Sequence, residues 1–474
     1  MVDLLDRPTP VLPDGPRSAP ALQIFNWISR PYSFLDECAQ KFGDVFTVRL
    51  GGLEPIVFCS DPDSIQAIFR ASPGRFTAGA NNQILRVLVG DASILLLDGD
   101  RHRRQRQLLM PPFHGERMRA YSDVIHDVTV RASQSWRVGD SVTVRPVMQE
   151  ISLRVILEAV FGLHEGEALE QLAALTSDML DVTSSPLSSS MLFFPWLQRD
   201  LGAWSPWGQF LQRQAQIDAI LYSQIEARRQ AIAAGQSGDD ILSMLLAARD
   251  EAGNPMTDAE LRDELMTLLI AGHETTASSL AWALYWMHQE PEIAAKLQNE
   301  LRSIGQNGEA SDFGSDLGSD FSADDAMALQ KLPYLSAVCQ EALRLYPVVP
   351  ITFPRRVMDQ PFEIKGHTLP VGTLVAPCIY LTHHHPALYP NSKRFRPERF
   401  LERQFSGSEF IPFGGGNRQC IGMAFALFEM KIVLATLLKQ FDFTLATAKA
   451  LKPVRRGLTV APPPLRLIVS AVQP

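Results

Sequence analysis

The chain has 474 residues, with 44 Lys and Arg against 52 Asp and Glu, so its formal charge is −8; 46% of it is apolar and 20% charged. Those values exclude a disordered, collagenous or coiled-coil main state, and the acidic balance argues against a nucleic-acid binder, which presents a basic face. The length admits several average domains or one unusually large one. No stretch approaches the run of about 18 apolar residues that a membrane span needs. The N-terminus, MVDLLDRPTPVLPDGPRSAP, carries acids and five prolines where a signal peptide has an apolar core. The expectation is a cytoplasmic protein without a membrane span.

In chain order, residues 1–24 read as a Pro-rich leader, and VFTVRLGGLEPIVFCS (45–60) reads as a β-hairpin turning at Gly51-Gly52. Apolar spacings of three and four predict helices over 115–136, 146–162, 165–182, 207–234, 239–250, 257–289, 291–303 and 333–345. The apolar, Pro- and Ser-broken segment 183–206 is expected to be a mobile lid, and the Gly/Ser/Asp-rich stretch 305–325 a solvated loop. Beyond 346 the chain offers short strands at 361–364, 373–377, 440–445 and 465–471, with one strong helix at 421–439. The fold class is therefore α+β, mainly α. No Gly/Ser linker divides the chain, so residues 25–474 are expected to form one large catalytic domain.

Five cysteines, Cys38, Cys59, Cys339, Cys378 and Cys420, are scattered singly without a CxxC, which removes support for a disulfide framework, a zinc knuckle or covalent haem attachment. Four read as core thiols. Cys420, in FGGGNRQCIG (413–422), stands between a glycine-rich turn and a helix start, where free N–H groups and the helix dipole favour a thiolate. Such a cysteine can be a nucleophile, a redox sensor or a metal ligand.

The spacing of Phe413, Gly416, Arg418, Cys420 and Gly422 resembles the haem-thiolate loop of the cytochrome P-450 family. Three further motifs follow the family's order. EALR, with Glu341 and Arg344, and RFRPERF, with Arg399, resemble its structural Glu-Arg-Arg triad. AGHETT (271–276) places Gly272 and two threonines inside a predicted helix, against local propensity. DGDRHRRQRQLLMPPF (98–113) puts His102 and Arg106 one helical turn apart. The resemblance runs from about residue 25 to the C-terminus, with His102 at a position more often Trp and Glu274 at one more often Asp.

The resemblance implies the cytochrome P-450 fold around a b-type haem, with Cys420 as axial ligand and the backbone glycines approaching the macrocycle. It implies that Phe413 packs near the sulfur and that His102, Arg106, Arg418 and Arg356 contact propionates, Arg356 being preferred to Arg355 for its place before Val357. It assigns Thr275 to hydrogen-bond dioxygen and Glu274 to deliver protons, while Glu341, Arg344, Arg399 and His383 are structural. The implied activity is hydroxylation of an apolar small molecule, such as a long-chain fatty acid or terpenoid, in a pocket lined by Ile94, Leu95, Leu268, Ala271, Val349, Ile351, Leu458 and the 183–206 segment. A peroxide-dependent peroxygenase and a haem-binding sensor are the alternatives. With no fused flavin or iron–sulfur module, electrons are expected from a ferredoxin and its reductase, docking on a face that includes Arg101, Arg103 and Arg104.

Overall fold

The computed structural model describes residues 12–162, 166–184, 198–236, 238–303, 321–447, 449–457 and 459–473. Most of the 183–206 segment and of the 305–325 stretch, together with Leu458, lies outside the described residues.

The core is organised on one helix, Asp258–Gln289, whose 32 residues span about 48 Å. A capping box starts it: the Thr257 hydroxyl accepts from the Glu260 amide at 3.2 Å, and the Glu260 carboxylate accepts from the Thr257 amide at 2.8 Å. From Leu261 to Met287 most of this central helix is buried. The helix Val144–Phe161 packs along it, and a Cβ added at Gly272 would lie 3.3 Å from Ile156 Cδ1. Gly272 therefore lets two helices approach, in return for its low helix propensity. The helices Pro333–Leu345 and Met423–Gln440 pack on the other sides of the central helix.

The predicted helices are present, with shifted ends. Gly115–Tyr121 is a 3₁₀ segment before the α-helix Ser122–Ser133, and the helix expected over 239–250 shortens to Ile241–Ala247. A five-stranded sheet has the order Val45–Val48, Ile56–Cys59, Leu374–Pro377, Arg355–Val357, Phe76–Thr77; its second and third strands are parallel and the other pairs antiparallel. A three-stranded sheet joins Ser141–Thr143, Arg466–Val472 and Phe441–Leu445. Pro13 and Asp14, midway along the leader, dock on this body, since Thr47 donates from its amide to Asp14 O at 3.0 Å and from its hydroxyl to Pro13 O at 2.6 Å. Pro20 then opens the helix Pro20–Ser29. Among the described residues no helix is long and apolar enough to cross a membrane.

The Glu-Arg-Arg triad closes in the interior. Glu341 accepts from Arg344 Nε at 2.6 Å and Nη2 at 2.8 Å, and from Arg399 Nε at 3.0 Å. The Arg396 amide adds a fourth donor at 2.8 Å. Arg344 also donates to the carbonyl of buried His383, whose Nε2 accepts from the Ile411 amide at 2.9 Å. Burial pushes the His383 pKa down to about 3, so the ring is neutral and holds the chain just before the cysteine loop. Replacing Arg344 by Ala leaves a buried carboxylate short of its main partner, and about 3–5 kcal/mol of stability should be lost. Chemical unfolding followed by circular dichroism measures this; a change below about 1 kcal/mol would contradict it.

Candidate active site

The loop Phe413–Gly422 is closed by the Cys420 amide donating to Phe413 O at 3.0 Å. Phe413 itself packs half-buried against the main core. Gly414 and Gly416 have φ of +66° and +65°, which glycine adopts without strain. A Cβ at Gly415 would come within 2.3 Å of the Phe69 ring, and one at Gly416 within 2.7 Å of Phe69 O. These two glycines thus let the loop pack on the helix Pro62–Arg70, a structural job different from the approach to a macrocycle expected of them. A Cβ at Gly422, by contrast, would meet nothing within 4 Å, so open space lies beside the cysteine end of the loop.

Cys420 is exposed and the other four cysteines are buried. Even so, desolvation by surrounding protein raises its pKa, against the lowering effects of the Gly422 amide and the Arg106 guanidinium. A group that is both desolvated and accessible faces an internal space. Gly422 caps the helix Met423–Gln440, so the sulfur also lies at a helix N-terminus.

Cations converge around this loop. Arg106 Nη1 donates to Gln419 O at 2.7 Å. Arg418 donates to Ile94 O at 3.2 Å and Leu97 O at 2.5 Å, and pairs with Asp98 at 2.5 Å. Arg355, only 3% exposed, donates to Gly415 O at 2.7 Å and lies over the Phe69 ring, while its Nε is buried without a partner. Asp98 accepts from the amides of Ala78, Gly79 and Ala80 as well. Burial, with the charge of Arg418, pulls the Arg355 pKa down to about 10; burial, Arg418 and Arg106 pull that of His102 down to about 4. Arg418 pairs with Asp98, while Arg106 and Arg355 pair with no carboxylate among the described residues, which fits a group bearing two carboxylates, as haem does.

The preference for Arg356 is therefore corrected. Arg356 turns to the surface, paired with Glu54 at 2.8 Å and bonded to Asn81 and the Gly372 carbonyl. Adjacent strand residues point to opposite faces, so only one of the two arginines can face inward, and it is Arg355. The expected docking cluster changes too. Arg104 is engaged by Asp250 at 2.6 Å, Glu260 at 2.8 Å and the Pro255 carbonyl, and Arg103 pairs with Asp100, while Arg101 is exposed.

On the central helix, Leu268 and Thr275 are half-buried and Ala271 is exposed, although the flanking turns are buried. These three residues share one helix face, so that face is open. The Thr275 hydroxyl donates to Ala271 O at 2.7 Å. Glu274 points elsewhere: Arg145 Nη2 at 2.7 Å and Gln149 Nε2 at 2.8 Å, both from the helix Val144–Phe161, hold its two carboxylate oxygens. One turn or more earlier, Asp263 accepts from the Ala92 amide at 2.8 Å, Glu264 from the Ile94 amide at 2.8 Å, and the Thr267 and Ser93 hydroxyls lie 2.7 Å apart. A path of contacts thus runs from the cysteine loop through Arg418 and Ile94 to Glu264, and then up the open face through Leu268, Ala271 and Thr275. Of the other expected lining residues, Ile94 is buried, Leu95 and Ile351 are half-buried and Val349 is 36% exposed. Phe353, 39% exposed, and the Asp263-Glu264-Thr267 clamp are additions that the sequence did not yield.

An accessible cysteine at a helix N-terminus, a cluster of arginines short of carboxylates and an open helix face carrying Thr275 are the features expected of a haem-thiolate enzyme. The model of the cytochrome P450 family matches residues 13–469, and the chain belongs to that family. It is 35% identical over 451 residues to a protein described as cytochrome P450 135B1 from Mycobacterium tuberculosis, covering 95% of this chain and 89% of that one. It is 34% identical to cytochrome P450 135A1 of the same organism, covering 95% and 93%. Neither description goes beyond the family. Among solved structures, the retinoic acid bound cyanobacterial CYP120A1 superimposes with a TM-score of 0.79 at 28% identity, covering 98% of this chain and 100% of that one. The fold is that of a cytochrome P450, the enzyme is a monooxygenase and its cofactor is b-type haem.

Replacing Arg355 by Leu should speed haem loss by about tenfold or more, since one charged hydrogen-bond donor to a carboxylate is removed. Replacing Arg356 by Leu should leave the rate within about twofold, because its partners are at the surface. Transfer of haem to apomyoglobin measures both, and equal effects would contradict the placement of Arg355.

Proposed function

We propose that the chain hydroxylates an apolar small molecule with dioxygen, that Cys420 would hold the haem iron through its thiolate, and that electrons come from a separate ferredoxin and reductase. The observation that carries this reading is Cys420, accessible yet desolvated, in a loop linked through Arg418 and Ile94 to the central helix. Residues 25–474 form the catalytic domain on this reading, and the enzyme works in the cytoplasm. CYP120A1 is described with retinoic acid bound.

When bound, the haem activates dioxygen and supplies the oxidising power to insert one oxygen atom into a C–H bond. The protein's residues do the rest. Gly422 N–H, the helix terminus and Arg106 stabilise the thiolate of Cys420. Arg106, Arg355, Arg418 and neutral His102 hold the two carboxylates and fix the orientation of the ring. Thr275 gives its proton to Ala271 O, so its oxygen lone pairs are free to accept a hydrogen bond on the open face.

Glu274 is the proton carrier in this scheme. Ionised, it is held by Arg145 and Gln149; protonated, it loses the ionic attraction to Arg145 and is released to turn toward Thr275 Oγ1. Proton uptake and side-chain movement are thereby coupled. Ile94, Leu95, Leu268, Ala271, Val349 and Ile351 exclude water and hold the apolar substrate.

The reduced, carbon-monoxide-bound protein should show the red-shifted thiolate band, and Cys420→Ala should abolish it. Glu274→Gln should slow product formation by about 10²–10⁴-fold with substrate binding little changed, the range for loss of a general acid. Product should form when a ferredoxin and its reductase are present and not with a nicotinamide cofactor alone. Turnover with the nicotinamide alone would overturn the external-electron assignment, and an unchanged rate in the Gln variant would remove Glu274 from proton delivery.

A further inference from the structure

We propose that Arg455 binds an acidic head group, so that the substrates are apolar carboxylic acids; this rests on the reading of the site as a monooxygenase pocket for an apolar molecule. Arg455 lies on the strand Val454–Arg456, which pairs antiparallel with Thr459–Ala461 and sets Arg455 opposite Val460. Cross-strand partners share a face, so the guanidinium points with buried Val460 into the cluster that holds Trp27 and Tyr32, against which Ile351 packs. It lies over the Trp27 ring at 4.7 Å, and its Nε donates to Gly457 O at 3.0 Å.

Among the described residues neither Nη1 nor Nη2 has a hydrogen-bond partner, and Nη1 is shut off from solvent. Outside the cluster at the cysteine loop, where Arg355 also lacks a carboxylate, arginines withdrawn from solvent are matched by acids: Arg344 and Arg399 by Glu341, Arg262 by Asp218 and Asp263, Arg145 by Glu274. Arg455 has none; the only ionisable neighbour that favours its charge is the Tyr32 hydroxyl. Burial pulls its pKa down to about 10, which still leaves it a cation at neutral pH. A buried cation without an anion is costly, and a ligand that brings one gains what the protein lacks.

The hairpin's position decides which ligand. The Val460 amide donates to Val348 O at 2.7 Å, tying the hairpin to the segment that presents Val349, Ile351 and Phe353, and the hairpin also packs on the central helix. Arg455 thus lies over Trp27 in the cluster against which Ile351, a residue of the expected apolar lining, packs. A carboxylate matches both the single charge and the two parallel N–H donors, and the apolar chain behind it would run along that lining.

The test uses the haem-loaded protein and paired probes: saturated fatty acids of 12 to 18 carbons and the alcohols of the same length. Dissociation constants are taken from calorimetry and from the ligand-induced spin-state shift. Acids should bind about tenfold to a hundredfold tighter than their alcohols, the value of a charged hydrogen-bonded pair, and Arg455→Gln should erase that preference while Arg455→Lys keeps part of it. Alcohols binding as tightly as acids, no acid binding, or a preference retained in the Gln variant would each overturn the proposal. If the Gln variant fails to fold, the acid-to-alcohol ratio of the unaltered protein decides. Loss of the thiolate band in the reduced carbon monoxide complex, not any of these ratios, would mark failure of the underlying monooxygenase reading.

Discussion

The structure depends on an imbalance of charge around one loop. Arg106, Arg355 and Arg418 gather against the backbone of the segment 413–422 through the carbonyls of Gln419 and Gly415 and through Asp98. Asp98 is already shared with three consecutive amides, so it cannot neutralise three guanidiniums. Such an arrangement is unfavourable alone and favourable around a dianion. The depressed pKa values of Arg355, Arg418 and Arg106 all have desolvation as their largest cause, as expected of cations drawn inward to meet a buried partner.

The same loop is coupled to the substrate side through a short polar clamp. Asp263, Glu264 and Thr267 occupy one face of the central helix and fasten Ala92, Ser93 and Ile94. Space is tight there: a Cβ at Gly90, whose φ is +87°, would overlap the Asp263 carboxylate at 2.0 Å. Burial raises the Glu264 pKa to about 8, so this carboxyl is mostly protonated at neutral pH and adds little negative charge beside the cation cluster. Ile94 consequently does two things at once, its amide bound to the central helix and its carbonyl to Arg418. A displacement of the lining there is transmitted to Arg418.

What could be read in the sequence was what is local. The cysteine loop, AGHETT and the Glu341–Arg344 pair are short motifs whose residues act within a turn or two, Arg399 was read from its own RFRPERF segment, and the long helices announce themselves by period. Where the sequence failed, the deciding partner lay far along the chain. Arg104 looked solvent-facing because Asp250 and Glu260, about 150 residues on, could not be foreseen beside it. Arg355 lost to Arg356 because the facing of a three-residue strand depends on its neighbours Phe76–Thr77 and Leu374–Pro377. The hairpin Phe362–Ile364 with His367–Leu369 was half missed because its turn, Lys365-Gly366 at φ of 42° and 78°, has Lys where Asn or Asp gives the stronger signal. Gly415 and Gly416 were legible as necessary, but not the reason, since Phe69 is a tertiary contact.

The buried arginines can finally be ordered by the source of their anion. Arg344 and Arg399 take theirs from the chain, and their site is complete when the polypeptide folds. Of the three arginines at the cysteine loop, Arg418 takes an anion from Asp98, and the charges of Arg106 and Arg355 fit the cofactor's carboxylates. Arg455 has no acid among the described residues, and on the proposal above the substrate supplies one. Each later step binds the folded state and not the unfolded one, so each adds stability by mass action. A net charge of −8 is compatible with this interior because the excess of acids lies elsewhere, and the cations without chain partners are placed where ligands complete them.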